Sequence, residues 1–187
     1  KVFFQREKSL IKMIIRYGEK VMCYVENEEQ EQVPYKVIEF IAASLKEDDL
    51  QFHNPLHRKI LNEAIAHEND SQFTSERFFL THPDPEINKL AADMVSERYQ
   101  LSKYHSKSQK IISDEERLYE LIPRLLIDFK LSIVEEEMKH TLLALAQPEI
   151  AGNPEKVKEI MERYKTLHQT QMLMARNAGD RIVNPFS

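Results

Sequence analysis

Cysteine is nearly missing from this 187-residue chain: Cys23 stands alone, so neither a disulfide framework nor a zinc ribbon can be built within it. Glycine is almost as scarce. Gly18, Gly152 and Gly179 lie far apart, which excludes a phosphate-cradling glycine-rich loop, and no Gly-x-Ser-x-Gly nucleophile elbow occurs. Long apolar runs are lacking too: residues 142–146 are typical, far short of the ~20 residues a bilayer span requires, so no membrane association is expected. There is no excess of basic charge. A formal net charge of −5 argues against nucleic acid as the main partner, because phosphate binding depends on clustered lysine and arginine. No repeat, low-complexity block or signal peptide is seen. The chain opens Lys1-Val2 instead of with methionine, so it is expected to be part of something longer. The lone thiol fits a reducing cytoplasm.

What is present is helical pattern, densest in residues 121–180. Ile127, Leu131, Val134, Met138, Leu142 and Leu145 recur at spacings of three and four, one stripe of a helix. Val157, Ile160, Tyr164, Leu167, Gln171 and Met174 form a second stripe. The connection through Pro148, Gly152 and Pro154 joins the two as an antiparallel helical hairpin. Each helix also carries apolar residues off its stripe: Leu126, Phe129 and Ile133 on the first, Met161, His168, Met172 and Ala175 on the second. Those extra rows meet either the rest of the chain, a second copy or a partner. The methionines favour an adaptable contact surface.

Residues 5–17 read as a helix with Leu10, Ile11, Ile14 and Ile15 inward and Gly18 as its stop. A small β-hairpin is an option over 21–35, with Pro34 confining its second strand to an edge. Helical spacing resumes at 37–45. Asn54-Pro55 and Asp84-Pro85 are helix starts, the first residue capping free amides and the proline taking a position whose N–H has no partner to lose. Thr74-Ser75-Glu76 opens a short capped helix between them. The polar stretch 101–113, with Lys103, Lys107 and Lys110 around Tyr104 and His105, reads as a solvated helix end or linker in preference to a nucleic-acid strip. Ser113-Asp114-Glu115-Glu116 reads as a capping box, and Pro123 as a kink in the long helix that follows. The expected fold is thus all-α, with that hairpin over 21–35 as an option: a helical bundle over 1–120, then a long helix and a C-terminal helical hairpin over 121–187.

Charge is unevenly placed. Residues 26–49 hold eight acids against Lys36 and Lys46, whereas residues 154–181 hold six bases against four acids, so the hairpin is the basic end of an acidic chain and its field can orient an acidic partner. Candidate chemistry is thin. Glu137-x-x-His140 matches half of a di-iron bundle motif, but such sites need two copies and further glutamates, so no metal or cofactor is expected. Glu63 with His67, and His53 with His57, read as polar surface or helix-boundary residues. Cys23 has no positioned histidine nearby, and no catalytic residue is assigned.

Three segments taken in order carry a resemblance: Gln5-Arg6-Glu7-Lys8-Ser9-Leu10-Ile11, Phe52-His53-Asn54-Pro55-Leu56-His57-Arg58-Lys59-Ile60-Leu61, and Met174-Ala175-Arg176-Asn177-Ala178-Gly179-Asp180-Arg181-Ile182. Together they resemble the C-terminal, helicase-binding domain of bacterial replicative primases of the DnaG type, over nearly the whole chain. The resemblance implies a helical subdomain followed by a hairpin that docks on the N-terminal domains of the hexameric, DnaB-type replicative helicase, with primer synthesis performed elsewhere in the full primase. The residues expected to meet that partner are Met161, Tyr164, His168, Met172, Ala175 and Arg176, extended by Arg181 and Ile182. A helical adaptor that self-associates or binds another protein through the same hairpin is the alternative.

Overall fold

The computed structural model describes the backbone of residues 1–105 and 114–183, and the side chains of 1–97 and 115–177. Within these residues the chain is mostly helical with one small antiparallel sheet. In order come α1 (Val2–Tyr17), β1 (Val21–Glu26), β2 (Gln32–Lys36), α2 (Val37–Glu47), α3 (Pro55–Ala66), α4 (Ser75–Leu80), α5 (Pro85–His105), a 3-10 turn (Asp114–Arg117), α6 (Leu118–Leu145), α7 (Pro148–Ala151) and α8 (Pro154–Val183). The side chains of the lysine-bearing stretch 101–113 and of the Ser113 cap lie outside the described residues. Two compact units are formed: Glu7–Pro123, and Lys1–Arg6 together with Arg124–Ser187. Residues 1–6, expected with the bundle, therefore group with the hairpin.

In the 7–123 unit the core follows the helical periods. Leu10, Ile11, Ile14 and Ile15 of α1, Val37, Ile38 and Ile41 of α2, Ile60 and Ala64 of α3, Phe79 of α4, and Ile87 and Ala91 of α5 are fully buried. Each large one contributes about 1.5–3 kcal/mol by leaving water. Gly18 ends α1 where the chain must pass close to two neighbours. A Cβ there would lie 2.6 Å from the Ile14 carbonyl oxygen, 2.8 Å from Ile38 Cγ2 and 2.9 Å from Ser75 Oγ. β1 and β2 pair with Pro34 opposite Tyr24, which a two-stranded ribbon tolerates because its outer edges need no donor. The ribbon turns on Asn27, whose Oδ1 accepts the amides of Glu29 (3.0 Å) and Glu31 (2.9 Å).

Two helix starts work by the expected capping chemistry. Asn54 Oδ1 accepts the Leu56 amide at 2.9 Å and Asp84 Oδ1 accepts the Glu86 amide at 3.0 Å, each followed by proline. α4 differs. Thr74 makes no side-chain cap; the Glu19 carboxylate accepts the Ser75 amide at 3.1 Å, and Ser75 Oγ donates to the Ile14 carbonyl. The short helix is thus tied to the end of α1 and not capped from its own flank.

α6 continues through Pro123, where the chain passes from one unit to the other. In the second unit, Lys1 Nζ lies 3.1 Å from Glu136 and Arg6 lies 3.7 Å from Asp128, so the start of α1 runs along α6 and buries Phe3. This shifts the buried face of α6. Leu126 and Phe129, expected on a secondary row, are buried with Val134 and Met138, whereas Leu142 of the expected main stripe is 47% exposed. α8 keeps its expected stripe: Val157, Ile160, Tyr164, Leu167, Gln171 and Met174 are all half-buried. Asn153 Oδ1 starts it by accepting the Glu155 amide at 3.1 Å, the same Asn-Pro device that opens α3.

Candidate functional site

The geometry of α8 makes it the strongest surface feature. At 100° per residue, Met161, His168, Met172 and Ala175 stand one step round from the half-buried stripe, and all four are exposed, Met161 by 50% and Met172 by 61%. They do not close the hairpin. Tyr164 belongs to the stripe and stacks on His168 at 6.5 Å between ring centroids, so it borders the row from its inner side. A further step round the helix come Lys158, Lys165 and Arg176, all exposed. Glu162, about one turn from both Lys158 and Lys165 and also exposed, lies at the outer side of that line, so this side of the row carries three bases against one acid. Between the described ends of the row, no α8 side chain is fully buried. The side chains of Arg181 and Ile182 lie outside the described residues.

α6 adds a second open face, which sequence reasoning missed. Glu135, Met138, Lys139, Leu142, Leu143 and Ala146, spaced by three and one, line a groove of about 460 Å³ with Gln171 of α8. Gln171 Nε2 reaches Glu135 Oε1 at 3.4 Å. Leu143 is 59% exposed. Met138 and Leu142 were legible as part of the expected stripe, and Leu143 and Ala146 off it were not; which face stays open depends on contacts with other segments, which the spacing within α6 does not encode.

The other candidates are structural. His140 pairs with Glu136 at 3.1 Å, so the glutamate of the Glu-x-x-His pattern, Glu137, is not its partner. The hydrogen bond from Lys1 holds the Glu136 carboxyl below the usual carboxylate range, against the opposing effect of burial and with help from His140. Glu63 bonds His82 Nε2 at 2.5 Å, while His67 stacks on Phe73 with centroids 4.9 Å apart. His53 and His57 do not stay at the surface together. His57 is buried, its Nδ1 2.7 Å from Glu7 Oε1, and His53 Nδ1 lies 3.6 Å from Glu7 Oε2.

Glu7 is fully buried and also accepts the amides of His53 (2.8 Å) and Asn54 (3.0 Å). Burial works to raise its pKa, but the bond to His57 and the two amides outweigh it and leave the carboxyl below its ordinary value. It fastens the start of α3 to α1. Among the described residues no group of three histidine, cysteine or acidic side chains is placed to hold a metal ion. Burial pushes the Cys23 thiol up, the direction opposite to an activated nucleophile. A polar cleft of about 450 Å³ beside Arg16, Lys20 and Arg77 has Lys20 bridged to Glu115 at 3.1 Å and carries Glu19 and Glu76 on its wall, so its charges balance internally. No helix among the described residues is long and apolar enough to cross a membrane.

Fold and surface together define a helical protein that presents a basic, apolar face on a C-terminal hairpin. The chain belongs to a family described as a domain of unknown function, DUF8430, whose model matches residues 1–182. No curated protein and no solved structure matches it.

Proposed function

We propose that this chain is the helicase-binding domain of a bacterial DNA primase of the DnaG type, a cytoplasmic, non-catalytic tether whose C-terminal hairpin docks on the N-terminal domains of the hexameric replicative helicase. The observation that carries this reading is the exposed row Met161, His168, Met172 and Ala175 on a helix with no fully buried side chain in its described part. Methionine in such a row favours adaptable contact, and tyrosine and arginine at its border, here Tyr164 and Arg176, are frequent anchors of protein interfaces. The order of the three sequence segments supports the particular partner. The surplus of bases on α8, six against four acids over residues 154–181 of an otherwise acidic chain, favours association with an acidic surface.

The test is sizing chromatography with light scattering on the chain, a purified hexameric replicative helicase, and their mixture. Co-elution of the chain with the hexamer is the expected result. A concentration-dependent homodimer with no helicase in its peak would replace this reading with that of a self-associating adaptor.

A further inference from the structure

The charge lying beside the apolar row says more about what seats there. Lys158, Lys165 and Arg176 share one line along α8, next to Met161, His168, Met172 and Ala175, and among the described residues none of the three has an ion-pair partner. The opposite side of the row is closed by the half-buried stripe, with Tyr164, Leu167 and Gln171. An occupant therefore meets apolar surface along one line and, along the next, three cations with Glu162 at their outer side, a flank of net positive charge over roughly 27 Å from Lys158 to Arg176 at about 1.5 Å per residue. Resting on the reading of the hairpin as a docking element, we infer that the partner element is an amphipathic helix of acidic character. Its apolar stripe lies on the methionine row, and aspartate or glutamate along one flank faces Lys158, Lys165 and Arg176.

Two other occupants fit worse. A second copy presenting the same face with its helix antiparallel would set the same three cations along one flank against each other, because an isologous contact uses the same patch on both copies, and like charges disfavour that. Nucleic acid presents about one negative charge per 1.7 Å of duplex, far denser than three cations over this length. The row beside those cations is methionine, alanine and one histidine with Tyr164 at its border, not a line of aromatic rings on which successive bases stack.

The inference is tested on the full chain with two labelled helical peptides, each about 18 residues long to match that reach. Both carry the same leucine stripe, one flanked by glutamates and the other by lysines, and binding is read by fluorescence anisotropy. The glutamate peptide is expected to bind at least about tenfold more tightly than the lysine peptide, and to weaken by about tenfold as salt is raised through the range where the screening length shrinks below ~10 Å. The combined variant Lys158→Glu, Lys165→Glu, Arg176→Glu should reverse the preference while melting at the wild-type temperature. Equal binding of both peptides, binding of neither, or tighter binding of a single-stranded oligonucleotide overturns the inference. The same variant assayed against the helicase separates the two readings. Helicase binding that survives the charge reversal leaves the proposed function standing and removes the acidic helix. A wild-type chain that ignores the helicase yet prefers the glutamate peptide removes the helicase and keeps the acidic helix.

Discussion

Glu7 shows how far a single side chain can act from its place in the sequence. Its carboxylate gathers His57 and the amides of His53 and Asn54, and removing it strands three donors in a buried site. Glu7→Ala is expected to destabilise the chain by about 3–5 kcal/mol in denaturant melts, with Glu7→Gln costing less. The pH dependence has a fixed sign. The folded carboxyl titrates below the ordinary value, so its stabilisation is complete above an unfolded pKa near ~4.3 and is lost as pH falls through the lower folded value. The stability gap between wild type and Glu7→Gln should hold constant at pH 5–6 and narrow below about pH 4; a gap that widens on acidification would contradict the assignment. Neither role was legible beforehand, since Glu7's partners lie 46 to 50 positions away and local spacing has no record of them. Asn54-Pro55 was legible because a cap acts within two residues. At the surface, Met172→Asp places a charge where the side chain is already 61% exposed. The melting midpoint should move by no more than ~0.5 kcal/mol of stability, while co-elution with the helicase is lost. An unfolded Met172→Asp protein would return this residue to the core.

Among the elements, α8 and α6 make the contrast between what periodicity reveals and what it hides. α8 has one neighbour direction, so its stripe of half-buried residues coincides with the three-and-four spacing of its apolar side chains. α6 is apolar on several faces, and the start of α1 runs along one side of it, where Lys1 and Arg6 pair with Glu136 and Asp128 and Phe3 is buried. Leu142 and Leu143 stay in solvent. The short helix α4 was placed correctly, but its anchorage through Glu19 and the Ile14 carbonyl involves residues some sixty positions earlier and escaped a local reading. A difference in local stability follows. α1 buries Leu10, Ile11, Ile14 and Ile15 completely, whereas the described part of α8 buries no side chain completely, so native-state hydrogen exchange should show amides of 157–177 opening with far lower protection than those of 10–17. Equal protection of both helices would mean that α8 is held by more than its stripe.

Across the whole molecule, the two compact units divide the work that the proposal requires. The 7–123 unit has its own buried set drawn from α1 to α5 and from Leu118 and Ile122. A fragment of residues 7–123 is expected to keep cooperative thermal unfolding by circular dichroism and to lose helicase binding, because α8 is gone. Full affinity in that fragment would move the docking surface out of the hairpin. The units are not simply consecutive, however. Lys1–Arg6 belongs with Arg124–Ser187, so the larger unit is an insertion within the smaller one. On a ribosome the order of completion follows. Lys1 and Phe3 are made before the inserted unit, yet the surface of α6 they occupy is synthesised only after it, a wait on the order of ten seconds at ordinary rates of elongation. The inserted unit can be finished while Lys1 and Phe3 are still unmatched, and the face proposed for the partner, on α8, takes shape only after that unit is complete.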